Sequence, residues 1–168
     1  MLKKFDETII YKENSELEKQ IQALNELHNK FPKNESISRE LKNAQAGLKG
    51  ENEIEYELKN ADIGMYILHD INLNYNDDTA QIDYVIITPA YTYFVECKNL
   101  IGDITVDENG QFIREYNYDG KLLKKSIYSP LTQAEKHIDI FKKIWKDRHK
   151  DDLLIKLLNV NLDNFYKP

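Results

Sequence analysis

The sequence is poor in the residues that disulfide-rich, disordered and membrane-spanning proteins need. Cys97 is its single cysteine, which excludes an internal disulfide and a cysteine-based zinc site. It has six glycines and four prolines, and 41% of its 168 residues are hydrophobic, a composition typical of a folded domain. It contains no apolar run of membrane-spanning length, and Met1 is not followed by the apolar core of a signal peptide. We therefore expect a cytoplasmic globular protein without a membrane partner.

Negative charge is in excess overall, while positive charge is concentrated in one region. The formal net charge is -6, which argues against a protein that coats nucleic acid nonspecifically by bulk charge. Residues 121–150 nonetheless hold nine Lys and Arg against three Asp and Glu. This basic region has two interpretations of similar weight: a surface that faces phosphates, or the solvated face of a helix.

An amphipathic helix is predicted near the N-terminus, from about Ser15 to Asn29. Its Leu and Ile side chains recur at helical spacing among Glu, Lys, Gln and Asn, and the residue before Pro32 ends the pattern. The helix is too short for a sustained coiled coil. We interpret residues 1–33 as an extension of a domain at residues 34–168. The helix either packs back on that domain or pairs with a second copy or a partner protein.

A second helix is predicted to begin at a cap, Asn34 or Ser36. Gly47 and Gly50 interrupt its pattern at a cost of about 1 kcal/mol each relative to Ala, so they indicate either a close backbone approach or a break. Beyond them, Glu51 falls on the apolar stripe of the helix. Its carboxylate either takes a buried partner or lies at the edge of the stripe and reaches water.

The middle of the chain predicts a sheet of about four to six strands. In chain order, the pattern predicts a short strand at Met65–His69, a polar loop at Asn72–Thr79, a hairpin at Gln81–Lys98, a second hairpin at Gly102–Tyr116 and a reversal at Asp119-Gly120. Asp77 and Asp78 in the predicted loop either touch a metal or are simply solvated.

Ser129-Pro130 predicts the start of another helix, with a capping side chain before a proline, continuing to about Asp147. Gln133 and His137 lie one turn apart beside its apolar stripe. His137 is either a packed edge histidine or a ligand or base.

The C-terminal segment Asp152–Leu158 is apolar and predicts a further helix. The last residues, 165–168, lie where an α/β sheet is expected to receive its next strand. We therefore expect an additional C-terminal domain in a longer protein.

The register of the hairpin at Gln81–Lys98 follows from its turn. Pro89 suits the second position of a type I or II turn and not the positive φ of the tightest hairpins. A four-residue loop from Thr88 to Tyr91 then sets Ile87 opposite Thr92.

Counting outward from that turn sets Asp83 opposite Glu96, while the alternation of strands places Glu96 and Lys98 on one face and Cys97 on the other. Opposed carboxylates repel each other, and a divalent cation beside Lys98 would resolve the repulsion because Mg²⁺ prefers carboxylate oxygens. The alternative is a half-exposed hairpin with solvated charges. The apolar strands favour the site, since buried strands rarely carry three ionisable groups without a use.

Six short motifs follow one another between about Gly47 and Ile144. They are Gly50-Glu51, Gln81-Ile82-Asp83, Glu96-Cys97-Lys98, Gly102-Asp103-Ile104, Asn109-Gly110 and Ser129-Pro130-Leu131-Thr132-Gln133. This ordered set resembles the nuclease-related domain (NERD) family, a branch of the PD-(D/E)xK nuclease superfamily. Ser129 stands where that family often has Asn, and Phe112 where it often has Trp.

The resemblance implies an α/β (α+β) fold with a central mixed sheet flanked by helices, as in the restriction-endonuclease core. It also implies a Mg²⁺-dependent endonuclease that hydrolyses DNA, with Mn²⁺ as a substitute metal. Together with the residues themselves, it implies metal ligation by Asp83, Glu96, Glu51 and the backbone carbonyl of Cys97, with Lys98 as the catalytic lysine and Gln133 and Glu51 near the reaction.

The alternative is a non-catalytic module that keeps the nuclease fold in order to bind nucleic acid or to assemble a larger defence or repair protein. The intact set Asp83, Glu96 and Lys98 favours the enzyme, because a scaffold has no reason to retain opposed carboxylates. A third interpretation makes the N-terminal helix primary, as a dimerisation or docking element.

Overall fold

A computed structural model describes residues 5–11, 15–118, 120–150 and 166–168. Within them lie three helices, α1 (Glu16–Lys30), α2 (Glu35–Lys59) and α3 (Pro130–Arg148). The same residues form eight strands: β1 (Ile9–Tyr11), β2 (Tyr66–Tyr75), β3 (Asp78–Ile87), β4 (Thr92–Val95), β5 (Asp103–Val106), β6 (Phe112–Tyr118), β7 (Lys121–Ile127) and β8 (Tyr166–Lys167). The helix predicted at Asp152–Leu158 lies outside the described residues.

The strands form two separate sheets. The central sheet has the order β1-β2-β3-β4-β8, with antiparallel pairing from β2 to β4 and parallel pairing of β1 and β8 at its edges. Strands β5, β6 and β7 form a second, antiparallel sheet, which we call the arm. The predicted α+β fold with a central mixed sheet flanked by helices is confirmed. This sheet has five strands, within the predicted four to six, but the hairpin predicted at Gly102–Tyr116 lies in the arm instead.

Helices cover both faces of the central sheet. On one face, Ile138 and Ile140 of α3 pack with Ile82, Val85 and other buried side chains. On the opposite face, α2 contributes Ile54 and Leu58 to a cluster around residues of β2 and β3. Burial on both faces explains why the sequence of these strands is so apolar.

Both N-terminal helices begin as predicted, and α1 ends within one residue of its predicted end. Ser15 caps α1 in a capping box with Glu18, and the Asn34 side chain accepts hydrogen bonds from the first turn of α2. The two helices pack on each other through a small apolar cluster. α2 is continuous to Lys59, so its glycines mark close approaches and not a break: a methyl group at Gly47 would lie 3.3 Å from Leu17 Cδ2.

The first residues also join the central sheet. β1 pairs in parallel with β2, and the backbone N–H of Glu16 donates to Asp70 Oδ2 at 2.7 Å. The predicted division into an extension at 1–33 and a domain at 34–168 stays a prediction, as does pairing with a second copy. In the described residues, no helix combines the length and the apolar character needed to cross a bilayer.

The loop predicted at Asn72–Thr79 was wrong. β2 continues to Tyr75 and turns back into β3 through Asn76, whose φ is 52°, a value that Asn tolerates better than most residues. The polar residues of this stretch alternate with half-buried apolar ones, so they form the solvent face of a strand. Asp78 accepts an ion-pair hydrogen bond from Lys143 Nζ at 2.7 Å.

The side-chain alternation of β3 slips at Asp83. Ile82 and Val85 pack on the α3 side, whereas Tyr84 and Ile86 pack on the α2 side. The ladder between β2 and β3 omits Asp70 and Asp83, and Asp70 has a φ of 49°. Such local irregularities re-aim side chains and are common beside functional sites.

Candidate active site

The hairpin of β3 and β4 has the predicted turn and register. Ile87 pairs with Thr92, and the Thr88 N–H donates to the Tyr91 carbonyl at 2.9 Å across the loop. The ladder ends at the pair of Tyr84 with Val95. The prediction that Asp83 pairs directly with Glu96 was therefore wrong, because β4 ends one residue before Glu96.

Asp83 contacts the chain just beyond that end. Its Oδ2 accepts a hydrogen bond from the Cys97 N–H at 2.6 Å. Burial raises the pKa of Asp83 from 3.8 to about 6; the charges of Glu96 and Glu51 add to this shift, while the Cys97 hydrogen bond and the Lys98 charge oppose it. The carboxylate is thus held in an environment that a positive charge would relieve.

Glu96 and Lys98 lie on the same side, as the alternation predicts. Lys98 Nζ donates to Glu96 Oε1 at 2.5 Å, and the side chains are 35% and 6% exposed, respectively. The other oxygen, Glu96 Oε2, is buried and has no hydrogen-bond partner among the residues that the structure describes. A buried carboxylate oxygen without a donor is costly, so this atom indicates a missing positive or donating group.

His137 brings a second unsatisfied atom to the same point. Its Nδ1 lies 4.0 Å from Glu96 Oε2, too far for a hydrogen bond, and it also lacks a partner within the described part of the chain. Burial lowers the pKa of His137, and Lys98 adds to this effect while Glu96 opposes it. The imidazole is therefore favoured in its neutral form, which can accept a proton or a hydrogen bond.

The gap between these two acceptors has the size of one oxygen atom. An oxygen about 2.8 Å from both Glu96 Oε2 and His137 Nδ1 would see them about 90° apart, not far from the H–O–H angle of water. A water molecule has two hydrogens to donate, which is what two acceptors need. The geometry is suited to a water held by both side chains.

Glu51 takes a buried partner, the first of the two alternatives that its position left open. His69 Nε2 lies 3.1 Å from Glu51 Oε2, and the Tyr84 hydroxyl donates to the Glu51 carbonyl at 3.1 Å. The His69 ring stacks on Tyr84 with centroids 4.5 Å apart. Burial has the largest single effect on the pKa of His69 and lowers it. The hydrogen bond and the charge of Glu51 together outweigh burial, so the pKa is raised overall.

Sequence reasoning missed His69 altogether. The available signal was a histidine at the end of an apolar strand, but its partner is 18 residues away on α2, and no local pattern joins the two. The carboxylate of Glu51, predicted at the metal site, is thus held by His69, while its charge still acts on Asp83.

Gln133 lies in a cleft of about 360 Å³ that His137, Lys136 and Lys143 also line. Ser129 caps α3 through a hydrogen bond from the Thr132 N–H, as predicted, and this start fixes Gln133 one turn before His137. The residue after Lys98 contacts α2: the Asn99 side-chain amide donates to the Ala46 carbonyl at 2.6 Å.

The residues fit a divalent cation held by few protein ligands. No group of three or more His, Cys, Asp or Glu side chains in the described residues is arranged to hold a metal. Mg²⁺, however, is commonly bound through one or two carboxylates, with water and substrate phosphates completing its octahedron. The carboxylates of Asp83 and Glu96 would supply that number, and Glu96 Oε2 has no hydrogen-bond partner in the described residues. The Cys97 thiol is no alternative, because burial raises its pKa to about 12.

Comparison with known proteins gives one match. The family model described as nuclease-related domain matches residues 46–160, which is more than half of the chain. The matched range includes α2 from Ala46 onward, the β3–β4 hairpin, the arm and α3. No curated protein and no solved structure matches the chain.

Proposed function

Since the chain belongs to the nuclease-related domain family, we propose that it is a Mg²⁺-dependent endonuclease that hydrolyses DNA with Asp83, Glu96 and Lys98. The observation that carries this proposal is the buried, unpartnered Oε2 of Glu96 beside an Asp83 whose pKa is raised to about 6. Desolvated carboxylates are costly, and Lys98 pairs with only one oxygen of Glu96, so a further positive ligand would stabilise the site.

The metal would be held by Asp83 and Glu96, with the Cys97 carbonyl as a further oxygen and Mn²⁺ as a substitute. A bound divalent ion supplies charge neutralisation for the scissile phosphate and a more acidic water. The Cys97 N–H fixes the direction of the Asp83 carboxylate through its 2.6 Å hydrogen bond. The ladder break at Asp83 thus orients the carboxylate.

Lys98 has two parts in this proposal. Its ammonium donates to Glu96 Oε1 and so fixes which oxygen of that carboxylate remains available. Because the Lys98 side chain is 35% exposed, its charge can also face a substrate phosphate and stabilise negative charge that develops during hydrolysis.

In this proposal His137 and Glu96 also hold the attacking water, because a carboxylate oxygen has lone pairs for both a metal ion and a water hydrogen. A water that donates to His137 Nδ1 and to Glu96 Oε2 directs its lone pairs away from both side chains, toward the phosphate. The neutral imidazole then accepts the proton that the water loses. Gln133, one turn earlier on α3, is placed to orient the phosphate with its amide, and Glu51, fixed by His69, supports the positive charge of the site.

A cleavage assay tests the proposal. Supercoiled plasmid and single-stranded DNA are incubated with the protein over a titration of Mg²⁺ and of Mn²⁺. We expect metal-dependent nicking that Asp83→Asn abolishes and that Asp147→Asn, a change at an exposed acid on α3, leaves intact. Undiminished cleavage by folded Asp83→Asn would falsify the assignment of the site.

A non-catalytic nucleic-acid-binding or assembly module is the second candidate. The observation in its favour is that the described residues offer no three-ligand metal group, while Glu51 is already paired with His69. DNA binding without cleavage in either metal, at any ratio of metal to protein, would favour this function.

A further inference from the structure

The arm stands apart from the rest of the fold. Among the residues that the structure describes, its strands pack extensively only on each other. All of β5 is exposed, and β7 is exposed except for its last residue. Large apolar side chains nonetheless remain in water there, including Ile104 at 45% and Leu123 at 38% exposure. A small sheet that is exposed on both faces has too little hydrophobic core of its own. Exposed apolar side chains on such a sheet indicate an interaction surface.

The register divides the charges of the arm between its faces. Because opposed residues of an antiparallel pair share a face, Ile104, Arg114 and Lys125 form one row across the three strands, and Tyr116 pairs with Leu123 in the next row of that face. Lys121 lies on this face by alternation. We call it the basic face, since its three charged residues are all positive.

The opposite face is mixed in charge. Asp103, Glu115 and Lys124 form its corresponding row. Lys124 Nζ donates to Glu115 Oε1 at 2.7 Å, so this lysine is neutralised by a direct partner. The two faces therefore differ in net charge although their residues alternate along the same strands.

Arg114 and Lys125 are like charges directly opposed in the ladder, an arrangement that destabilises a sheet. Arg114 is fixed: its Nε donates to the Ile101 carbonyl at 2.7 Å, and its guanidinium carbon lies 4.4 Å from the Tyr116 ring centroid. Lys125 has no ion pair within the described residues. An anion between the two side chains would remove their repulsion.

Both connections of the arm lead to the proposed active site. β5 begins shortly after Lys98, and β7 is followed directly by α3, which carries Gln133 and His137. We propose that the basic face is a DNA-docking surface, on which Arg114, Lys121 and Lys125 bind backbone phosphates and Tyr116 packs against sugars and bases. This inference rests on the proposed function for its choice of DNA as the partner.

Phosphate contacts of this kind have a measurable signature. Each lysine or arginine that neutralises a phosphate of duplex DNA contributes about 0.9 to the slope of log K against log salt concentration. The structure offers a matched control, because Lys124 lies on the opposite face of the same strand, between Lys121 and Lys125.

The test is the salt dependence of binding by the full chain. Kd for a fluorescent duplex is measured by anisotropy in EDTA, so that no metal-dependent cleavage occurs. For the double variant Lys121→Ala/Lys125→Ala we expect the magnitude of the slope to fall by about 2. The ratio of the variant Kd to the wild-type Kd should therefore be about tenfold larger at roughly 50 mM NaCl than at roughly 200 mM. For Lys124→Ala we expect the wild-type slope. Equal slopes for the double variant and wild type, or an equal fall for Lys124→Ala, would overturn the proposal.

The outcome is separable from that of the nuclease assignment, because binding is measured without cleavage. If wild type fails to cleave in Mg²⁺ and Mn²⁺ but the double variant has the lower slope, the docking surface stands and the hydrolytic proposal fails. If wild type cleaves and the slopes are equal, only the docking surface fails. Light scattering on the double variant and wild type gives the last check. If the double variant differs from wild type in oligomeric state but not in DNA affinity, the basic face makes protein contacts and the inference is overturned.

Discussion

At the candidate site beside the central sheet, the carboxylates of Asp83 and Glu96 are surrounded by protein, whereas Lys121 and Lys125 of the arm are surrounded by water. Asp83 and Glu96 have lost most of their hydration, so the pKa of Asp83 rises and each missing partner is costly. Lys121 and Lys125 are exposed and keep their hydration, so any attraction they exert on a charged partner would be screened by salt. Under the proposed function, the difference would separate two tasks, chemistry at a desolvated site and capture of a charged polymer.

The largest expected effect concerns Lys98, which follows the central-sheet strand β4. Replacing Lys98 by Ala should lower the rate of metal-dependent DNA cleavage about 10³-fold, because it removes a cation aimed at the charge that develops in the transition state. The measurement is the initial rate of plasmid nicking at saturating Mg²⁺. Lys30→Ala, at the exposed end of α1, is the control and should retain the wild-type rate. A loss of less than threefold for Lys98→Ala would remove this lysine from the reaction.

The same substitution in the two sheets should have very different effects on stability. Ile67→Ala in β2, where the side chain is fully buried, should lower the free energy of unfolding by about 2–5 kcal/mol. Ile104→Ala in the arm, where the side chain is 45% exposed, should change it by about 0.5 kcal/mol or less. Urea titrations of both variants measure the difference. Similar losses would mean that the arm is packed as tightly as the central sheet.

Stability should also reveal the cost of Asp83. Its folded pKa is about 6 against an ordinary value of 3.8, so the folded state favours the protonated form. The contribution of protonated Asp83 to the free energy of unfolding is fully present below pH 3.8 and is lost as the pH rises through 6. Asp83→Asn should therefore be more stable than wild type by about 3 kcal/mol at pH 8 and equally stable near pH 3.5, as measured by urea unfolding.

Added Mg²⁺ should narrow this gap at pH 8, because it stabilises only the wild-type carboxylate. An Asp83→Asn variant that is less stable than wild type at pH 8 without metal would contradict the desolvation of Asp83.

The smallest of these effects concerns His137. Replacement by Phe keeps an aromatic ring in the buried position but removes the acceptor opposite Glu96 Oε2. We expect kcat to fall roughly tenfold to a hundredfold, with KM for DNA unchanged, because the change affects the held water and not the docking of the polymer. His28→Phe, at a half-buried histidine of α1 whose Nδ1 contacts the Ser38 hydroxyl and not the proposed site, is the control. A raised KM with unchanged kcat would assign His137 to substrate binding instead.

Local signals in the sequence were sufficient for the helices and for one hairpin. Ser15, Asn34 and Ser129 each cap a helix where the sequence predicts one, because a capping side chain acts within three residues. Pro89 and its neighbours fix the turn, and period-two alternation carries the register outward to Tyr84. These features depend only on nearby residues, so a single sequence contains them.

The missed features depend on distant residues. The contact of Asp83 with the Cys97 N–H requires the slip in β3, which lies opposite the positive φ of Asp70. The pair of His69 and Glu51 requires knowledge of which strand lies under α2. β7 was not predicted as a strand, because its lysine-rich sequence resembles a solvated loop and only the pairing with β6 extends it.

The nuclease-related identity was predictable for a different reason. No single motif was specific, yet their order along the chain agreed with the family match at residues 46–160. The roles of Asp83, Glu96, Lys98 and the other site residues stay predictions, which the substitutions above are designed to test.

The close approach at Gly50 has a consequence for how mutations are tolerated. A methyl group there would lie 2.8 Å from Asn99 Cβ, and Asn99 follows Lys98 directly in the chain. Any side chain at this helical position would push against the segment that carries the lysine, without altering a charge or a carboxylate. Because α2 packs this closely on Asn99, a substitution of Gly50 should displace the Lys98 ammonium by steric contact alone.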